Sequence, residues 1–123
     1  MAEAIARDLG GDRVVVRSAG LAPAGFVAPP TLATLEALGL ATEGLSSAGL
    51  EAVTDVSFDV VVSLLGARGL TLLPPAIALR REAWDIPDPF GEDDAVYLRV
   101  ARQLQVEVKR LLADELDREL RLE

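Results

Sequence analysis

Phe58-Asp59-Val60-Val61-Val62-Ser63-Leu64-Leu65 is the stretch on which the fold turns. It is β-branched at its centre and almost continuously apolar. A strand with one wet face alternates apolar and polar residues. A run without that alternation predicts burial on both faces, as in a parallel sheet. Working outward, Ala78 to Trp84 reads as a later strand and Arg13-Val14-Val15-Val16-Arg17 as an earlier one, ended by Ser18-Ala19-Gly20. Pro30 suits the first turn of a helix whose face carries Leu32, Leu35 and Leu38, with Gly39 as its cap. A short helix is expected near Leu50 to Val53. Pro74-Pro75 breaks the chain before the later strand. The last helix starts near Asp93-Asp94, acids that suit a helix N-terminus. Its apolar stripe is Val96, Val100, Leu104, Val108 and Leu111. At the other end, Met1, Ile5 and Leu9 share a helical face that Gly10-Gly11 stops. The order is helix, strand, helix, strand, strand, helix. That predicts an α/β fold, as three α/β/α layers around a small parallel sheet. One domain is expected over residues 1–113, with a charged helical tail over 114–123.

Composition narrows the chemistry. The chain has 123 residues, is 50% hydrophobic but only 4% aromatic, and carries a net charge of −8. Its core must therefore be built of Leu, Val and Ala. A nucleic-acid binder needs a basic footprint, and an anionic membrane surface would repel this chain. Neither partner is expected. The sequence holds no cysteine and no histidine. Disulfides, thiolate catalysis, Cys/His metal sites and a histidine-based triad are excluded within these residues. No metal and no cofactor is expected. No apolar run reaches membrane-spanning length and no signal peptide is visible, so a cytoplasmic location is the default.

Four segments carry a family likeness. They are Met1-Ala2-Glu3-Ala4, Val16-Arg17-Ser18-Ala19-Gly20, Phe58-Asp59-Val60-Val61-Val62-Ser63, and Trp84-Asp85-Ile86-Pro87-Asp88-Pro89-Phe90-Gly91 with Tyr97 beyond it. In this order and spacing they resemble the low-molecular-weight protein tyrosine phosphatase and arsenate reductase superfamily, over nearly the whole chain. The resemblance implies a helix after a phosphate loop, a second strand and turn, a third strand, and an acid loop leading into the last helix. In that family a first strand runs into Cys-x5-Arg-Ser/Thr ahead of the Met-Ala-Glu helix. Such a loop aims backbone N–H groups at an oxyanion, the cysteine attacks as a thiolate, and the arginine grips the phosphoryl oxygens.

The resemblance also assigns roles. Asp88 matches the general acid that protonates the leaving oxygen, stiffened by Pro87 and Pro89. Without the likeness, Pro87-Asp88-Pro89 is an ordinary turn. Phe90 matches an aromatic position flanking the substrate; otherwise it is a half-packed loop residue. Ser18 matches a serine that supports the phosphate loop; otherwise it caps backbone at a strand end. Arg13 and Arg17 read as solvated strand-edge charges. Leu65 and Leu73 fall where thioredoxin-coupled reductases carry two further cysteines, so no disulfide relay is available there.

Other features are fainter. Gly66-Ala67-Arg68-Gly69 reads as a plain loop rather than an anion contact. Gly20 to Gly25 lacks both the dinucleotide fingerprint and a Walker lysine. Glu92-Asp93-Asp94 reads as a helix-capping acid run rather than a Mg²⁺ or Ca²⁺ site.

The opening residues run straight into a helical pattern. Together with the missing Cys-x5-Arg, this leads to the expectation of a truncated or degenerate family member, without the first strand. Phosphatase or arsenate reductase activity is then expected only with a restored loop, as is binding of a phosphate- or arsenate-type oxyanion. The alternative is a catalytically inactive binding or oligomerisation module. A sheet lacking its middle strand would leave backbone groups unpaired, so a homo-oligomer is expected.

Overall fold

Strands β1 (Phe58–Ser63) and β2 (Ala78–Ala83) pair in parallel, from Phe58 opposite Ala78 to Ser63 opposite Ala83. The structure is a computed structural model that describes residues 1–20, 25–53 and 56–122. Among the described residues four α-helices surround the pair: α1 (Ala2–Gly10), α2 (Pro29–Ala37), α3 (Ala67–Leu70) and α4 (Asp94–Leu122). A parallel pair needs a crossover of a dozen or more residues. Here it is made by α3 and a 3₁₀ turn, Pro75–Ile77. This corrects two expectations. The strands are not consecutive elements, and Gly66-Ala67-Arg68-Gly69 is not a plain loop but the start of a short helix.

The two faces of the sheet divide by parity. Val60, Val62 and Leu64 pack against the main core. Opposite them in register, Arg80 and Glu82 reach α4. The alternate residues meet α3. The Arg81 guanidinium donates to the carbonyls of Leu70 and Pro74. A Cβ on Gly69 would lie 2.1 Å from the Ser63 hydroxyl. Only glycine lets α3 approach that close, and the same hydroxyl donates to the Gly66 carbonyl at 2.8 Å. Helices therefore cover both faces of a small parallel sheet, as the α/β expectation required.

Burial on both faces of β1 is only partial. Phe58, Val60, Val61 and Val62 are half-buried, Asp59 is exposed and Ser63 is buried. The reason is the width of the sheet: among the described residues it has two strands, and β1 is paired along one edge only.

The expected strand at Val14–Val16 does not form. Residues 14–19 run without a ladder, Val14 with extended torsions of φ −135° and ψ 150°. β-branched residues favour extended backbone, but a strand also needs a partner to receive its hydrogen bonds. Pairing begins at the end of the segment, where Gly20 bridges Gly49 and donates its N–H to the Ala48 carbonyl at 2.8 Å. Val15 is left 86% exposed.

The core is a helix–helix seam laid on the sheet. Val100, Leu104, Val108 and Leu111 of α4 are buried and Val96 is half-buried, as the 3.6-residue period predicts. Tyr97 and Ala101 join them. Ala4 and Ile5 of α1 and Leu35 of α2 complete the seam. Helix α2 ends on Gly39, at φ 76°. The Gly39 N–H donates to the Glu36 carbonyl and the Leu40 N–H to the Leu35 carbonyl, each at 2.9 Å. This paired closure with a left-handed glycine satisfies carbonyls that the helix would otherwise leave free. Helix α4 continues to Leu122, and Glu115 ties it to β2 through a two-pronged ion pair with Arg80. Among the described residues, no helix is long and apolar enough to cross a membrane.

Candidate active site

The candidate acid loop begins where β2 ends. Trp84 is buried there, its N–H donating to the Ser63 carbonyl at 2.8 Å and its carbonyl accepting from the Gly66 N–H at 3.3 Å. Asp85 then bridges Leu65. These bonds fix the loop entrance to the exit of β1. Ile86 is half-buried against the core, which anchors the next step.

Beyond it, Pro87 and Pro89 restrict the backbone on both sides of Asp88. The Asp88 carboxylate accepts the Phe90 N–H at 3.0 Å, an Asx turn that sets the side chain against its own loop. The Glu92 N–H donates to the Pro89 carbonyl at 2.9 Å. Asp93 then caps α4, its carboxylate accepting the Val96 N–H at 3.1 Å. The acid run thus includes a helix cap, as its sequence suggested.

The outcome is an exposed carboxylate on a loop held at both ends. Such a group can hand a proton to a leaving oxygen brought within hydrogen-bond reach. Phe90 lies beside it with 66% of its surface exposed, so its ring is open to a ligand rather than packed.

Ser18 stands elsewhere. Its hydroxyl donates to the Glu3 carboxylate at 2.7 Å. Glu3 also pairs with Arg7 at 2.8 Å, one turn along α1. Sequence reasoning missed Glu3, although Glu and Arg four residues apart on a helix are an ion-pair signal. Burial draws the Met1 α-amino group below its ordinary pKa, against the opposing pull of Glu3. Ser18 also lines a cleft of about 120 Å³ with Ala19, Gly20, Ser46, Ser47 and Ala48. The structure therefore unites Asp88 and Phe90 on one loop and places Ser18 with α1. The hydrogen bond of Asp88 stays within its loop, and that of Ser18 runs to Glu3.

Leu65 is 61% exposed and Leu73 half-buried; neither side chain has redox chemistry. Among the described residues, no group of three or more acidic, histidine or cysteine residues is arranged to hold a metal ion. The chain itself supplies no thiol.

Known proteins give this geometry its context. The profile of the "Low molecular weight phosphotyrosine protein phosphatase" family matches residues 1–122. A glutaredoxin arsenate reductase of Synechocystis sp. is 33% identical over 114 residues, 92% of this chain and 86% of that protein. An arsenate reductase solved in a phosphate-binding state has the same identity and coverage and superposes with a TM-score of 0.79. The YwlE arginine phosphatase, with a phosphorylated active-site serine, shares the fold at a TM-score of 0.78 and 22% identity, over 99% of this chain and 90% of that one. The fold, the punctuation of the loop and these likenesses agree: the chain belongs to the superfamily of low-molecular-weight protein tyrosine phosphatases and arsenate reductases.

Proposed function

We propose that this chain carries the general-acid side of a family site and turns over no substrate by itself. Its chemistry would be phosphate-monoester hydrolysis or arsenate reduction, through a cysteine that the 123 residues do not contain. The observation that carries this reading is the Asp88 loop. It is pinned at Trp84, stiffened by two prolines, closed by the Asp88–Phe90 bond and capped into α4.

In the phosphatase reaction a thiolate attacks phosphorus while the ester oxygen departs with the proton of Asp88. Water then releases phosphate from the thiophosphate. Phe90 would flank the substrate. Without the thiolate no covalent route exists. Without the loop of backbone N–H groups the developing charge is unsupported, often the largest single term in such a reaction.

The 33% identity to an arsenate reductase favours arsenate as the oxyanion. With leucine at 65 and 73, reduction would draw on a separate small thiol or thiol protein rather than on an internal disulfide relay.

Purified chain incubated with p-nitrophenyl phosphate, and separately with arsenate plus thiols, is expected to show buffer rates only. Turnover that survives rigorous purification and disappears in Asp88→Asn would overturn the proposal.

A further inference from the structure

Trp84 is the hinge between β2 and the acid loop, and its side chain is held from outside that loop. The indole Nε1–H donates to a Glu82 carboxylate oxygen at 3.0 Å. The same oxygen accepts from the Arg110 guanidinium of α4 at 2.8 Å. Arg110 also lies over the indole ring, 5.9 Å from its centroid, at the outer range of a cation–π contact. Glu107 and Asp114 flank Arg110 on α4, each at 3.3 Å, and keep its guanidinium in place. Three residues thus close a triangle. Each side is a polar contact to a neighbour that is itself restrained.

None of this is needed to bury Trp84. Its ring belongs to the core, and a phenylalanine there would pack with no polar partner. The cluster adds orientation. It fixes the indole plane and, together with the backbone bonds of Trp84 to Ser63 and Gly66, restrains the residue whose carbonyl and following peptide begin the loop. We infer that Glu82 and Arg110 are positioning residues that set the acid loop, acting on Asp88 through Trp84.

This rests on the reading of Asp88 as the acid, but it is testable apart from it. Charged groups meet Glu82 from α4: Arg110 directly, with Glu107 and Asp114 on the same guanidinium, and Arg118 farther off. On its own strand Arg80 is already tied to Glu115. Across the ladder stands apolar Val62, and Arg81 points to the opposite face. Protonating Glu82 therefore removes the negative charge that strengthens its bonds from the indole and Arg110, and among the described residues the indole donates to Glu82.

The test uses the 123-residue chain and residue-resolved NMR. Trp84 is the only tryptophan, so one indole N–H signal reports the cluster. The Phe90 amide, bonded to the Asp88 carboxylate, reports the loop. Glu82→Gln and Arg110→Gln are each expected to shift the indole signal and to speed Phe90 amide exchange about tenfold, the scale of losing one charge-assisted hydrogen bond. Arg110→Lys should restore most of the indole shift, and the amides of α1 and α2 should be unchanged.

In the unsubstituted chain the indole signal should titrate in acid, and in Glu82→Gln the change should shrink to what Glu107 and Asp114 transmit through Arg110. An indole signal that moves while Phe90 exchange stays constant would overturn the inference. So would exchange that rises everywhere, with Arg110→Lys no better than Arg110→Gln. If Glu82→Gln does not fold, the two Arg110 variants decide alone. No readout here requires turnover, so a pinned loop with an inert Asp88 would refute the acid assignment and leave the positioning intact.

Discussion

Glu82 is the residue at which electrostatics and packing meet. Its bond from the Trp84 indole, and then the Arg110 charge, hold its carboxyl below the usual carboxylate range, against the opposing cost of burial. A depressed carboxylate pKa means the unfolded chain binds the proton more readily. The stabilisation is then fully present above the unfolded value, 4.5, and is lost as pH falls through the lower folded value. Denaturant unfolding of the chain and of Glu82→Gln should therefore differ near neutrality and converge in acid. A constant gap at every pH would show that Glu82 acts by shape alone. This cluster was not legible in the sequence. Glu82 and Arg110 are 28 residues apart, and no local pattern joins a strand residue to a helix flank. Asp88 was legible only through the family likeness; read alone, Pro87-Asp88-Pro89 was an ordinary turn. Ser18 follows the Val14–Val16 run that the sequence marked as a strand. Its partner, Glu3, is set by how α1 lies against that segment, which spacing does not encode.

Elements differed in how much they showed. Helix α4 was plain because one period repeats over many turns, and Val100, Leu104, Val108 and Leu111 all lie in the core. Helix α3 was hidden: its four residues are too short for any period to emerge. The Val14–Val16 strand failed for a different reason. Propensity is local, but a ladder needs a partner, and none of the described residues supplies one there. The same lack leaves one edge of β1 without a ladder. Unpaired strand edges are templates for another chain. The extended segment carries Arg17 and β1 carries Asp59, both exposed. We expect the chain to self-associate through these edges, as a dimer or larger species by light scattering coupled to size exclusion. A monodisperse particle of 13.0 kDa at micromolar concentration would contradict this.

At the scale of the molecule, three things coincide. The fold is that of the phosphatase and reductase superfamily. The loop that carries Asp88 is anchored at both ends. The chain contains no cysteine to attack a substrate. The proposal stands on Asp88 being ready to work once a thiolate faces it. The direct measurement joins a strand and Cys-x5-Arg-Ser segment of the family ahead of Met1. The pH–rate profile of p-nitrophenyl phosphate hydrolysis is then compared with that of the same protein carrying Asp88→Asn. The account predicts activity that requires the added cysteine and falls about 10²–10⁴-fold on Asp88→Asn. A folded, active protein whose rate and pH profile ignore Asp88→Asn would contradict it.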